Sequence, residues 1–260
     1  MFLSARCWLP SLFSLMLPLA GWAQGAPAPD RRVMEAQDLP TLARTSFHFG
    51  PSGGLNGADV RGVEPGGPRA TTIGLRSGFE AGVAGQWARG GHWALQAGAR
   101  YTRQGYTQRD QVLVANGAPR VAARAEYRLN YLTVPVSVAY AQFANGQGIQ
   151  GYAGLYAAKF LAGRYETSDV APGAPPVRGR VRAADARPVF GRGEYVRPWD
   201  AGLQAGLGYR YGPALLQVGY THGLRSLAPT LSGGSGFTAS PYYNRAVRLS
   251  LTYFAFGPRD

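Results

Sequence analysis

The sequence predicts an all-β fold, an eight-stranded antiparallel up-and-down barrel that spans a membrane, with short turns at one end and long loops at the other. Three observations predict it. The chain opens on an export signal, yet no later segment reaches the ~18 apolar residues of a membrane-spanning helix. Segments that alternate apolar with small or polar residues recur along the rest of the chain, as half-buried strands do. The connections between these segments alternate between tight and long, the pattern of a meander whose two ends meet unlike surroundings.

The elements follow in order. Residues 1–23 read as a signal peptide: Arg6 near the start, an apolar run from Trp8 to Ala20, and small residues at Gly21 and Ala23. Export through the Sec pathway follows from it. Cys7, the only cysteine, leaves with the signal, so the mature chain has no disulfide and no thiolate metal site. Residues 24–44, with Pro27, Pro29 and Pro40, read as a flexible periplasmic leader. The barrel is expected over 45–256, followed by a short tail, 257–260.

SFHFGPSGGLN (46–56) is a first strand broken by glycine. TTIGLRSGFEAGVAGQW (71–87) and HWALQAGARYTRQ (92–104) form the next two. LNYLTVPVSVAYAQF (129–143) alternates through Pro135, which has no N–H for a ladder and marks a bulge or a local break. IQGYAGLYAAKFLAGRY (149–165) places Tyr152, Tyr156 and Phe160 on one face and Lys159 on the other. AGLQAGLGYRYGPALLQVGYTHGL (201–224) holds two strands around a Gly212-Pro213 corner, and NRAVRLSLTYFAF (244–256) closes the series. ARGG, ANGQG and Gly212-Pro213 are the tight turns; 57–70, 105–126, 166–196 and 226–243 are the long loops.

Which face is inside follows from the residue types. The polar face mixes Gly, Thr, Gln, Ser and Arg, a combination that fits a narrow barrel interior better than a solvated surface. Strands of ten or so residues suit a tilted crossing of the bilayer. Aromatics gather beside the tight turns: Phe47, Phe49, Trp87, Trp93, Tyr140, Phe143, Tyr152, Tyr209, Tyr211, Tyr253 and Phe256 are expected in one interfacial ring. The apolar face therefore points into lipid. Tight turns and termini face the periplasm, and the long loops face outside.

These same segments resemble a known family. GFEAGVAGQW, WALQAGARYTRQGY, LNYLTVPVSVAY, DAGLQAGLGYRYG and YNRAVRLSLTYF, in that order, are similar to the PorT-like outer-membrane β-barrel domain family, often labelled "porin family" and common in Gram-negative Bacteroidota. The Tyr131-Leu132-x-x-Pro135 and Arg100-Tyr101…Gly105-Tyr106 pieces are the distinctive ones. The resemblance implies an eight-stranded barrel in the outer membrane, placed there by the barrel assembly machinery. Members usually end on an aromatic, whereas Gly257-Pro258-Arg259-Asp260 follow Phe256 here, which moves the recognition aromatic to Tyr253, Phe254 or Phe256.

Few motifs in the chain could carry chemistry. Gly50-Pro51-Ser52-Gly53-Gly54 matches G-x-S-x-G, but that motif needs a strand-to-helix elbow and no helical pattern follows. His48 and Ser52 lie about 13 Å apart at strand rise, beyond hydrogen-bond reach. His222 near Ser226 lacks a visible carboxylate to complete a triad. Three scattered histidines make no metal site, so no catalytic residue, metal or cofactor is assigned.

The polar face carries Arg76, Glu80, Arg100, Lys159, Asp200, Gln204, Arg210, Gln217 and Arg248, expected as a lumen network in which Glu80 and Asp200 neutralise the cations. An eight-stranded barrel is just filled by its side chains, which favours a plug over a pore. The 166–196 loop sets Arg178, Arg180, Arg182, Arg187 and Arg192 among prolines, with forks that suit phosphate. The net charge is +13, but export argues against a nucleic-acid partner and points to anionic lipid and lipopolysaccharide. The expected role is structural or surface-interacting, without catalysis, in a monomer. A narrow anion-preferring channel is the first alternative and a lipid-modifying barrel enzyme the second.

Overall fold

The computed structural model describes residues 45–62, 72–111, 114–115, 118–119, 123–168, 176–188, 194–232 and 241–257. The expected signal peptide, leader and last three residues lie outside the described residues. Eight barrel strands follow in order: β1 (Thr45–Arg61), β2 (Thr72–Arg89), β3 (Trp93–Gln111), β4 (Ala123–Ala141), β5 (Gly148–Ser168), β6 (Trp199–Tyr211), β7 (Ala214–Gly223) and β8 (Tyr243–Tyr253). Each pairs antiparallel with the next, and β8 pairs with β1 from Ser52↔Thr252 to Arg61↔Tyr243. The ring is closed. Beyond the end of β8, Phe49 and Phe256 exchange backbone hydrogen bonds of 2.9 and 3.1 Å, which extends the seam to the tight-turn end.

The tight turns join β2 to β3, β4 to β5 and β6 to β7, all at one end, and the longer connections lie at the other. In the first turn Gly91 has φ of +82°, a conformation an L side chain rarely adopts. Along β6, β7 and β8 the faces separate cleanly. Leu203, Leu207, Leu216, Val218, Val247, Leu249 and Leu251 stand exposed on the outside, while Gln204, Arg210, Thr221, Arg248, Ser250 and Thr252 are buried within. An exposed apolar wall around a buried polar interior is the arrangement for a hydrocarbon surround.

Pro135 pairs with Tyr156 on β5 without a register shift. On the β3 side the ladder is interrupted between Ala97↔Val136 and Arg100↔Thr133, and the register resumes unchanged. The missing N–H costs a local break, not a bulge.

The β5 strand departs from the sequence expectation. Tyr152, Tyr156 and Phe160 point inward and are buried, whereas Ile149, Leu155 and Lys159 are on the outside. Tyr152 therefore leaves the interfacial ring; the other ten expected members are exposed beside the tight turns. The reason lies on the neighbouring strands, where Gly206 is the register partner of Tyr152, Gly202 that of Tyr156 and Gly219 that of Gly206. A Cβ placed on Gly206 would meet the Tyr152 hydroxyl at 2.7 Å, one on Gly219 would overlap the same hydroxyl, and one on Gly202 would meet Tyr156 at 2.8 Å. The glycines of β6 and β7 form the recess into which the β5 tyrosines pack.

Strand lengths also exceed expectation. β1 to β5 have 17 to 21 residues, against 10 to 13 in β6 to β8. Roughly ten residues cross a bilayer at the usual tilt, so the surplus projects beyond the membrane as a crown. Part of what reads as loop at 57–70 and 105–126 is thus continued strand, and the 166–196 segment contains a flap. Its strand Val177–Ala183 pairs antiparallel with the upper part of β5, and Glu194–Val196 pairs parallel with Val177–Ala183. The flap takes over the β5 edge where β6 has ended, which keeps that edge from standing unpaired.

Gly219→Val is expected to collide with Tyr152 and lower stability by about 1–3 kcal/mol. Urea titration followed by the heat-dependent gel shift measures it, and adding Tyr152→Ala should return part of the loss; purely additive effects would remove the tyrosine recess as the cause.

Candidate functional site: a filled lumen beneath an arginine-bearing crown

The lumen is occupied in three levels. Nearest the tight turns lies a chain of amides. Gln217 Nε2 donates to Gln96 Oε1 at 3.1 Å, Gln96 Nε2 to Gln150 Oε1 at 3.1 Å, and Gln150 Nε2 to the Gly146 carbonyl at 2.5 Å. Arg210 stands at the same end. Its Nε donates to the Gly212 carbonyl at 3.2 Å and its guanidinium sits 5.0 Å from the centre of the Phe254 ring.

The middle level is ionic. Arg100 Nη1 donates to Glu80 Oε1 at 2.7 Å, and Arg248 Nη1 lies 3.8 Å from Glu80 Oε2. Arg248 Nη2 donates to Gln204 Oε1 at 3.0 Å, and Gln204 Nε2 donates to Ser137 Oγ at 2.6 Å. One carboxylate thus faces two guanidinium groups in a site from which water is largely removed: the Glu80 side chain is 2 % exposed and those of Arg100 and Arg248 are 14 % and 9 %. A cavity between the amide and ionic levels, lined by Gln96, Arg100, Ser137, Gln204, Gln217 and Arg248, amounts to about 30 Å³, room for about one water.

The extracellular level is apolar. Tyr106, Leu129, Tyr131, Tyr156 and Phe160 pack with Val60 and, from the flap and the last long connection, with Val181, Val196 and Leu227. Tyr106 stacks on Tyr127 at 4.7 Å, and Tyr131 meets Phe160 edge-on at 5.7 Å. Backbone bonds tie this lid down: Arg197 N–H to the Leu227 carbonyl at 3.0 Å, and Leu227 N–H to the Tyr242 carbonyl at 2.9 Å.

Two of the expected lumen residues stand elsewhere, and a third has other partners than expected. Lys159 is exposed, with its ammonium 5.7 Å from the centre of the Trp199 ring. A long stem that carries a charge to the interface beside an aromatic is the low-cost place for a lone lysine on a lipid-facing wall. Arg76 lies at the β-bulge between Leu75 and Phe79 and pairs with Glu126 at 2.5 Å, apart from the Glu80 cluster. Its guanidinium holds the Glu126 carboxyl below the usual carboxylate range. Asp200 is buried in the lumen but accepts from Tyr156 Oη at 3.1 Å and Asn244 Nδ2 at 3.3 Å, so its partners are neutral donors where a cation was expected.

The nucleophile-like string runs inside β1, with no strand-to-helix elbow. The Ser52 hydroxyl accepts from Thr252 Oγ1 at 2.9 Å, and the His48 ring packs 5.9 Å from that of Phe254. His222 stacks on Tyr220 at 6.4 Å, and Ser226 Oγ accepts from the Ala228 N–H at 3.2 Å.

Of the loop arginines, Arg178 pairs with Glu166 at 2.9 Å, and Arg180 and Arg182 are exposed on the flap. Arg187 sits in the short strand Ala186–Pro188, and Arg192 lies outside the described residues. On the outside of the crown, the flap arginines meet others that sequence reasoning missed: Arg103 on β3, Arg128 on β4 and Arg164 on β5 line one cavity with Arg180 and Arg182. Their sequence separations carry no signal; only the strand register brings them together.

A closed ring with a lipid-compatible wall and a polar interior defines an outer-membrane barrel protein. The chain belongs to the outer membrane protein beta-barrel domain family, whose match runs over residues 22–228. The match is to that domain as a whole and does not single out the PorT-like branch. No curated protein matches the chain. Among solved structures, it is similar to Ail, the attachment invasion locus protein of Yersinia pestis, at 11 % identity and a TM-score of 0.37, covering 81 % of this chain and 98 % of that one. Neisserial surface protein A matches at 12 % identity and a TM-score of 0.40, covering 80 % and 98 %. OprG of Pseudomonas aeruginosa matches at 11 % and 0.32, covering 83 % and 96 %. The family places the chain in the outer membrane of a Gram-negative bacterium.

Glu80→Ala strands two buried guanidinium groups and is expected to cost about 3–5 kcal/mol. Glu166→Ala, at an exposed pair, should change stability by less than about 1 kcal/mol. Unfolding of both variants in lipid vesicles separates the two; equal losses would mean that the ionic level carries no special weight.

Proposed function

We propose that the protein is a non-enzymatic outer-membrane barrel whose lumen is closed and whose working part is its extracellular surface, through a structural role or contact with anionic surface ligands such as lipopolysaccharide. One observation carries this reading: side chains occupy the lumen at three successive levels, and the cavity between its amide and ionic levels has room for about a single water. A diffusing solute needs a continuous path. Here it would have to break the Glu80 pairs, the glutamine chain and an apolar core that includes four buried aromatic rings. The narrow-channel reading asks all three levels to open together. The lipid-modifying reading asks for a nucleophile held by a base, whereas the candidate serines are bonded to Thr252 and to backbone at Ala228.

What remains available to a partner is the crown. It carries the long strand extensions, the flap and most of the outward-facing arginines, and it stands at the end of the barrel opposite the tight turns.

The purified full chain, reconstituted into planar bilayers at neutral pH, is expected to give no stable conductance steps above the lipid background. Well-defined, long-lived steps with anion preference would replace the surface reading with the channel reading.

A further inference from the structure

We infer that the outward face of the crown binds the phosphate groups of an outer-leaflet lipid, with its acyl chains against the barrel wall beneath. This rests on the reading that the extracellular surface is the working part of the molecule. A cavity of about 710 Å³ opens where β3, β4 and β5 meet the flap, lined by Arg103, Arg128, Arg164, Arg180 and Arg182, with no acidic residue among its lining. The ladder sets Arg128 directly opposite Arg164, and Arg164 directly opposite Arg180. Three guanidinium side chains therefore stand side by side on adjacent strands about 4.8 Å apart, positions at which like charges destabilise a sheet.

The neighbouring row shows what the fold does when it neutralises itself. Glu126 and Glu166 lie opposite each other there and are held by Arg76 at 2.5 Å and Arg178 at 2.9 Å. Among the described residues, Arg164, Arg180 and Arg182 have no carboxylate within 4.0 Å, and Arg128 only just reaches Glu126 at 4.0 Å. A row of unneutralised forks calls for an anion of high charge density, and the planar guanidinium matches phosphate oxygens two at a time.

The floor of the cavity decides the source of that phosphate. Tyr101 and Leu161 line it, both exposed on the lipid-facing side. Tyr101 lies 6.1 Å from the Phe79 ring, over which the Arg103 guanidinium sits at 6.0 Å. Aromatics at this height mark the membrane interface, so the arginines stand at the level of head groups. A free anion has no use for an apolar floor; a phosphorylated lipid does.

The test measures binding of lipid A to the purified full chain in detergent, comparing the bisphosphorylated form with a dephosphorylated form of the same acyl chains. The wild type is expected to retain the bisphosphorylated lipid and to bind the dephosphorylated one about ten-fold or more weakly. Arg128→Gln combined with Arg164→Gln should lose about ten-fold in affinity, Arg180→Gln, on the exposed flap, about three-fold, and Arg178→Gln nothing. The heat-dependent gel shift reports folding of each variant; if the double variant does not fold, Arg180→Gln decides. Equal binding of both lipids, wild-type affinity in the folded arginine variants, or displacement of the lipid by millimolar inorganic phosphate would each overturn the inference. None of these outcomes touches the conductance result, and an open channel would not by itself restore or remove lipid retention.

Discussion

Everything in this molecule depends on one constraint: in hydrocarbon, each backbone N–H and C=O must find a partner within the protein. The seam between β1 and β8 is where the constraint is met, through ten register pairs and the further bridge between Phe49 and Phe256. Once the ring is closed, the direction of the side chains follows. Alternation puts Leu207 and Val218 into lipid and Gln204 and Arg248 into the interior, the reverse of a soluble barrel.

Closure at eight strands leaves an interior with room for side chains and little else. The chain fills it by matching size between neighbouring strands, Tyr152 against Gly206 and Gly219, and by matching charge, Glu80 against Arg100 and Arg248. Both devices act on stability, and both fill the lumen with side chains. The extra length of β1 to β5 then has to be accommodated outside the bilayer. There the inward face becomes an ordinary apolar core under the flap, and the outward face becomes the arginine row. The crown is a small soluble-type assembly mounted on a membrane barrel, with the side-chain logic of each half set by its own solvent.

Much of this was legible in the residues themselves. Leu203, Leu207, Leu216 and Val218 against Gln204 and Arg210 gave both the strands and their faces, because a period of two is unambiguous where aliphatic residues recur at every second outward position or so. The β5 strand misled because tyrosine belongs equally well at an interface and in a narrow polar interior; the glycines at 202, 206 and 219 were the signal that large side chains lie opposite. Lys159 looked like a lumen cation by its charge, but its long stem lets it stay on the wall. Strand ends were placed too early at 104 and too late at 129, since the extensions carry Arg, Gln and Glu and do not look like lipid-facing strand. The Glu80–Arg100 pair joins neighbouring strands whose members were both in the expected network. The meeting of Arg128, Arg164 and Arg180 was out of reach, because it depends on cross-strand register and on a flap folding back on β5.

The central claim is that the polar face of the barrel is dry and packed while the apolar face meets lipid. Spin labels placed at successive positions 215 to 218 of β7, in the protein reconstituted into bilayers, test it directly. The account predicts that labels at 216 and 218 collide freely with oxygen, and that those at 215 and 217 are immobilised and shielded from both oxygen and a water-soluble nickel chelate. High chelate access at 215 and 217 would mean a water-filled lumen and would contradict it.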